Sequence, residues 1–361
     1  MKFKNLNIMI KPVSSECNMT CKYCFYKDVA RNRQIYDFGR MDNNTVDSLI
    51  SNVFSSVEDN GNITFNFQGG EPLLAGHKYY EYLINKVDYF KKNHNISYNL
   101  QTNLTLLDDD YIKLFKYNKF LVGVSIDGPR TINDKYRRLN DRSSSFDLII
   151  SNIKKLEANN IEYNILTVLT NELSYKARKL YKFYKNNNFK YIQIIPCLNP
   201  INDKRSWGLT PKNFARFYKE FSDVWLEDKM SLKITMLEDV ISLLYRCMPL
   251  QCGMLGKCSN DMIIEADGSI YPCDFYVLDK YKLAYISDDK LSEIYQCEKS
   301  LDFIKEKRNL TKICNSCKYI HICNGNCKRI SVCLYDENYC GYKDFLEHFT
   351  LNLKEYISNN K

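Results

Sequence analysis

The sequence predicts an α/β fold: a partial, TIM-like (β/α)6 barrel followed by a small cysteine-rich domain. Three observations carry this expectation. Short apolar runs alternate with amphipathic segments over the first two hundred residues, the pattern of βαβ units around a parallel sheet. Six such runs occur, which suits an incomplete barrel better than a closed eight. After Cys197 the alternation stops, and from Cys252 to Cys340 cysteines crowd while regular structure thins, as in a domain held by metal.

The elements follow in order. NIMIKPVS (7–14) is the first strand, NITFNFQ (62–68) the second and SYNLQTN (97–103) the third. FLVGVSID (120–127), EYNILTVLT (162–170) and KYIQIIPC (190–197) are the fourth to sixth. TVDSLISNVFSSVEDN (45–60) and YYEYLINKVDYFKKNH (79–94) have the apolar spacing of helices between strands. NPINDKRSWGLTPKN (199–213) is a loop, and FARFYKEFSDVWLEDKM and EDVISLLYRC are helices. MIIEADGSIYPCDFYV (262–277) is a hairpin about an Asp-Gly turn. A domain boundary is expected near residue 235, giving 1–235 and 236–361, with no internal repeat.

The 361 residues, 45% of them hydrophobic, suffice for a large core. No segment approaches the roughly 18–20 apolar residues of a membrane helix, and the first seventeen residues lack the apolar stretch of a signal peptide. The net charge is +8, yet no block of like charge reaches the length of a nucleic-acid-binding arm. In YKARKLYKFYKNNNFKYIQ (175–193) the apolar residues recur at helical spacing, so its lysines form a solvated face. A cytoplasmic protein without membrane or nucleic-acid partners is expected. Fifteen cysteines in a reducing compartment are metal ligands or redox thiols rather than disulfides.

CNMTCKYCFY places Cys17, Cys21 and Cys24 on one loop after the first strand. A zinc site would need a distant fourth ligand. An iron–sulfur cubane takes four thiolates, so three leave one iron open to a substrate or cofactor. NFQGGEP then puts Gly69, Gly70, Glu71 and Pro72 after the second strand, where glycines let backbone approach a ligand. LQTN ends the third strand at Asn103, and VSIDG ends the fourth around Ser125 and Asp127. Capped turns would explain both equally. A second array comprises Cys252, Cys258, Cys273, Cys314, Cys317, Cys323, Cys327 and Cys340, eight thiols for two metal sites, zinc or cluster.

Cx3CxxC followed by GGEP resembles the radical S-adenosylmethionine (SAM) superfamily. The resemblance implies that the methionine moiety of SAM chelates the open iron, and that one electron then yields a 5′-deoxyadenosyl radical, which abstracts hydrogen. It places Tyr23 beside adenine, Gly69–Pro72 at the methionine amino group, and Asn103 and Ser125 in the cofactor pocket. The family often has glycine where Leu104 follows QTN. The second array resembles the SPASM extension, with two auxiliary 4Fe–4S clusters and thus three in all. Cys252, Cys258, Cys273 and Cys327 would hold one, and Cys314, Cys317, Cys323 and Cys340 the other. CNGNC stands where a CGGC-like form is more usual. Cys197, Cys247, Cys297 and Cys333 remain unassigned.

IKPVSSECNMTCKYCFY, FQGGEPLLAG, FLVGVSIDGP, YIQIIPCLNP and ADGSIYPCDFYVLDK together resemble the anaerobic sulfatase-maturating enzymes. That resemblance implies oxidation of a Cys or Ser in a nascent or unfolded sulfatase peptide to Cα-formylglycine. Asp274 would be the general base, a carboxylate beside a ligating cysteine on a hairpin over the barrel mouth. Gln68 and Tyr26 would line the pocket, and a flavodoxin- or ferredoxin-like protein would be the electron partner. Arg137 and Arg138 could bind a carboxylate. KLAYISDD departs from the family's LGNI-like turn. Two rivals remain: a peptide maturase forming thioether or carbon–carbon cross-links, and a zinc-stabilised RNA-binding protein.

Overall fold

The computed structural model describes residues 2–202, 207–306, 308 and 310–360. The expected loop at 199–213 includes residues 203–206, which lie outside the described residues. Two compact units divide the chain, and neither is one stretch of sequence. The first is Met1–Ser125, Arg137–Tyr163 and Ser259–Glu306; the second is Ile126–Tyr136, Asn164–Cys258 and Lys307–Lys361.

In the first unit, β1 (Phe3–Ile10), β2 (Val57–Phe67), β3 (Asn95–Thr102) and β4 (Leu121–Ser125) lie side by side and parallel. The register puts Ile8 beside Phe65, Phe65 beside Tyr98, and Leu100 beside Val122. These apolar residues are buried. Phe65, Tyr98, Phe120 and Phe67 stack with centroids 5.1–6.2 Å apart, so large apolar areas leave water together. On the sheet lie α2 (Asn43–Ser56), capped by Asp42 through the Thr45 amide at 2.8 Å, and α3 (His77–Phe90). The first helix expected from sequence reaches Asn60; in the structure α2 ends at Ser56 and β2 begins at Val57. Val57 is buried and its backbone pairs with Phe3. A β-branched side chain with a strand partner thus outweighs one further helical turn.

The expected hairpin is present. β8 (Ile263–Ile264) and β9 (Ser269–Tyr271) pair antiparallel about Asp267 and Gly268. Gly268 has φ +80°, and the Asp267 carboxylate accepts from the Ser269 amide at 3.0 Å. β8 also pairs in parallel with β1, Ile264 beside Ile10. KLAYISDD supplies β10 (Ala284–Tyr285), antiparallel to β9. The C-terminal third of the sequence thereby extends the sheet begun by its first strand.

In the second unit, β5 (Tyr163–Leu169), β6 (Tyr191–Pro196) and β7 (Lys233–Ile234) are parallel. The basic stretch forms α7 (Ala177–Asn186), which buries Leu180, Tyr181 and Tyr184 and exposes Lys179, Lys182 and Lys185. Its lysines are a solvated face, as their spacing predicts. α8 (Pro211–Glu227) buries Phe214, Tyr218, Phe221 and Trp225. Phe214 and Tyr218 pack on Phe345 of the C-terminal helix Gly341–Asn359, and Trp225 on Phe349. No described helix is long and apolar enough to cross a membrane.

Candidate active site

The first cysteine trio sits on the loop between β1 and α1 (Phe25–Arg31). Cys24 caps α1, its sulfur accepting from the Lys27 amide at 3.5 Å. Cys17 sulfur accepts from the Met19 amide at 3.4 Å. Backbone N–H donors of this kind stabilise thiolates. The loop is tied down by Lys27 Nζ on the Met19 carbonyl (2.7 Å) and by Asn140 Nδ2 on the Cys17 carbonyl (3.1 Å). Burial, then Glu71 and Cys21, push the Cys17 thiol up to about 12 against the pull of the Met19 amide and Lys27, so the isolated protein leaves this sulfur short of a fully compensating positive charge. Cluster iron would supply one. Among the described residues no three His, Cys, Asp or Glu side chains converge as ligands of a single ion would; a cubane asks less, because each thiolate binds its own iron. The donor set fits such a cluster.

The glycines after β2 are held against this loop. The Gly70 amide bonds the Ser14 carbonyl and the Glu71 amide bonds the Glu16 carbonyl, both at 2.8 Å. A Cβ on Gly70 would stand 1.8 Å from the Glu16 oxygen, and Gly69 has φ +131°. Glycine is required at both for close approach and backbone freedom. Pro72 opens a short turn, Pro72–Ala75. The Glu71 carboxylate is buried and already bonded: it accepts from Thr102 Oγ1 (2.6 Å), the Asn103 amide (2.8 Å) and the Leu73 amide (3.1 Å). Burial raises its pKa, against the pull of those bonds and of Arg137. Its carboxylate therefore ties the end of β2 to the end of β3.

Asn103 joins the same region. Its Nδ2 donates to Asn18 Oδ1 at 2.9 Å, and its Oδ1 accepts from Thr105 Oγ1 at 2.6 Å. The side chain thus steadies the loop between Cys17 and Cys21. Ser125 lies buried at the end of β4, and Tyr23 is buried with its hydroxyl 3.4 Å from Arg137 Nη1. Arg138 Nη1 donates to the Arg142 carbonyl at 2.7 Å.

Leu104, where the family often has glycine, has φ +61° and is fully buried; Asn152 Nδ2 donates to its carbonyl at 2.8 Å. The left-handed backbone costs about 1–2 kcal/mol for a residue with a Cβ. Removing a buried Leu side chain costs about 2–5 kcal/mol. Burial wins, so Leu104→Gly is expected to lower thermal stability despite relieving the backbone. A raised melting temperature in calorimetry would show that backbone strain dominates.

Behind the trio lies a buried charged cluster that sequence reading largely missed. Lys11, immediately after β1, is fully buried; its Nζ is 2.5 Å from Asp274 Oδ1 and 3.9 Å from the Tyr26 ring centroid. Among the described residues neither of these two atoms has another hydrogen-bond partner. Gln68 Nε2 donates to Asp274 Oδ2 at 3.1 Å. Gln68 and Asp274 are therefore neighbours across 206 positions of sequence. The Tyr26 hydroxyl donates to Glu265 Oε1, which also accepts from Arg33 Nη1 at 3.1 Å. Burial first, and then Glu265, hold the Tyr26 phenol well above its usual range. Tyr26 thus engages Glu265 through its oxygen and Lys11 through its ring face. The available signals were a lysine ending an apolar run in IMIKP and a glutamate inside IIEADG.

In the second unit, Cys314, Cys317, Cys323 and Cys340 line one pocket with Tyr319, Tyr335 and Tyr342. Cys340 caps the C-terminal helix through the Lys343 amide at 3.3 Å. Burial pushes the Cys323 thiol up to about 12, and Cys340, Cys314 and Cys317 add to the rise. Four thiols lining one pocket fit a fully ligated cluster, in which each binds its own iron. CNGNC is explained by its backbone: Asn324, Gly325 and Asn326 have φ +49°, +76° and +55°, where Asn and Gly are best tolerated. Cys252 and Cys258 flank a turn packed on Cys327; a Cβ on Gly253 would meet Cys327 Cβ at 2.9 Å. Burial raises the Cys258 thiol, opposed by Lys328 and Arg308. Cys273 lies in the first unit, directly before Asp274. Of the unassigned cysteines, Cys197 and Cys333 are buried, with Cys333 sulfur 3.5 Å from the Cys197 carbonyl; Cys247 is exposed and Cys297 half-buried.

A family model for the radical SAM superfamily matches residues 12–183, and one for the iron–sulfur cluster-binding SPASM domain matches 252–318. A curated relative from Clostridium novyi, named as a cysteine-type anaerobic sulfatase-maturating enzyme, is 42% identical over 333 residues, covering 90% of this chain and 88% of its own. One from Bacteroides thetaiotaomicron, named as serine-type, is 27% identical and covers 90% of this chain and 83% of its own. The solved structure of native anSMEcpe with bound AdoMet and Cp18Cys peptide is 33% identical, covers 99% of this chain and 100% of its own, and superposes with a TM-score of 0.89. The expected fold class, a radical SAM partial barrel with a SPASM domain, holds. At this identity and coverage the chain belongs to the radical SAM superfamily and, within it, to the anaerobic sulfatase-maturating enzymes.

Proposed function

We propose that this protein oxidises a cysteine of an unfolded sulfatase precursor to Cα-formylglycine, with Asp274 as the base that takes the substrate thiol proton. The observation that carries the reading is Asp274 itself, held by Lys11 and Gln68 directly after Cys273. Cysteine is preferred over serine on the strength of the cysteine-type relative's 42% identity against 27% for the serine-type one.

Cys17, Cys21 and Cys24 would hold the 4Fe–4S cluster that, once loaded with S-adenosylmethionine, supplies a 5′-deoxyadenosyl radical for hydrogen abstraction at the substrate Cβ. Gly69 and Gly70 bring backbone close to the cofactor methionine, with Pro72 fixing the turn. Glu71 and Asn103 brace the loop that carries the cysteines, and Tyr23 and Ser125 close the cofactor pocket. Tyr26 and Gln68 border the substrate. As the SPASM pattern implies, Cys252, Cys258, Cys273 and Cys327 would serve one auxiliary cluster, and Cys314, Cys317, Cys323 and Cys340 the other. A flavodoxin- or ferredoxin-like donor, a cytoplasmic location, and family domains at 1–235 and 236–361, divisions of the sequence distinct from the compact units, belong to the same reading.

The test is anaerobic reconstitution with iron, sulfide, S-adenosylmethionine, a reductant and a sulfatase-motif peptide in Cys and Ser forms. Mass spectrometry is expected to show 5′-deoxyadenosine together with a peptide aldehyde, formed about 10–100-fold faster from Cys. Deoxyadenosine without aldehyde from either peptide removes the proposed reaction, and a cross-linked peptide product would move it to the maturase class.

A further inference from the structure

We propose that Lys11 is a positioning residue for Asp274: its buried ammonium, wedged between the Tyr26 ring and Asp274 Oδ1, fixes the rotation of the carboxylate that faces the substrate. The inference rests on the reading of Asp274 as the base. Asp274 opens a short turn, Asp274–Tyr276, closed by the Tyr276 amide on the Cys273 carbonyl at 2.9 Å. Restraint comes from outside the turn. Lys11 meets Oδ1 and Gln68 meets Oδ2, so each carboxylate oxygen has its own neighbour.

Both neighbours are set by the sheet. The Gln68 amide bonds the Ile10 carbonyl at 3.0 Å, and the Lys11 amide bonds the Ile264 carbonyl at 2.9 Å. The ends of β1, β2 and β8 therefore present Lys11 and Gln68 side by side beneath the turn that the hairpin delivers. A lysine buried this completely is unusual unless paired, and among the described residues Asp274 is the only carboxylate that meets Lys11 as an ion pair. The Tyr26 face adds a cation–π contact that keeps the ammonium from swinging away. A lysine serving only as a structural counter-ion would affect stability alone; a positioning lysine would also set how often hydrogen abstraction ends in product.

The experiment uses the cluster-loaded full chain and Lys11→Met, which keeps the stem and removes the charge. The first readout is oxidised peptide formed per 5′-deoxyadenosine. It is expected to fall roughly 10–100-fold, the scale of a reacting group displaced by about an ångström. Lys11→Arg, which keeps a cation in reach, is expected to recover most of that loss. The second readout needs no substrate: a crystal structure of Lys11→Met, in which Asp274 is expected to leave Gln68 or occupy two rotamers. An unmoved Asp274, or a wild-type product ratio, overturns the proposal. If the wild-type protein makes no aldehyde, the proposed reaction fails, and the position of Asp274 in the variant crystal decides the role of Lys11 by itself. If Lys11→Met does not load its clusters, Lys11→Gln takes its place in both measurements, with the same expected and overturning results.

Discussion

Asp274→Asn is expected to lower the aldehyde formed per 5′-deoxyadenosine by roughly 10²–10⁴-fold, the usual contribution of a positioned general base. The amide has the shape of the carboxylate and cannot take a thiol proton. It also cannot satisfy both neighbours. With its oxygen towards Gln68 Nε2, its NH2 faces the Lys11 ammonium; turned over, it sets NH2 against NH2. Either way Lys11, fully buried, loses its counter-ion, and unpairing a buried charge costs about 3–5 kcal/mol. A lower melting temperature is therefore expected alongside the lost product. Normalising product to deoxyadenosine separates the two effects, since both come from the same folded, cluster-loaded molecules. A product ratio within threefold of wild type would remove Asp274 from proton transfer.

Cys24→Ala is expected to abolish deoxyadenosine formation altogether. Disturbing an outer-shell partner of a metal ligand already costs about 10–100-fold in affinity or activity, and removing Cys24, a ligand in the proposed reading, would cost more. Iron content should drop from about 12 to about 8 per chain, three clusters of four becoming two. Cys24 has a second role, because its sulfur caps α1 through the Lys27 amide. Losing that cap costs about 1 kcal/mol, enough to loosen the loop without touching the chemistry. Cys24→Ser separates the roles: a serine hydroxyl caps well but is a poor substitute for a thiolate on iron. Deoxyadenosine at the wild-type rate from the serine variant would show that the sulfur serves only the helix.

The strands of both units were legible because each is a short apolar run ended by a turn signal, and all six appear within a few residues of their expected bounds. The hairpin was legible for the same reason: Asp267 and Gly268 supply the bonded, positive-φ turn that their identities suggest. What sequence could not show is long-range. Lys11 reads as the polar end of a strand until Asp274, far along the chain, is placed against it. That Glu71 also braces the ends of two strands appears only once Thr102 and Asn103 are placed against its oxygens. Leu104 contradicts local preference, and only its burial explains why a left-handed backbone carries a leucine there. The compact units escape a linear reading altogether, since residues 259–306 fold with the first strand rather than with their neighbours in sequence.

The pairing of Ile264 with Ile10 has a consequence for synthesis. At about 5–20 residues per second, the ribosome needs roughly 13–50 s to travel the 254 positions between them (264 − 10). Throughout that interval the outer edge of β1 lacks its strand partner, an open template for pairing with another nascent chain. Contacts so distant along the polypeptide also make for slow folding. Chaperone demand and inclusion-body formation during expression should therefore track the time spent before the hairpin emerges, and a shortened chain ending before residue 264 should aggregate more readily than the whole.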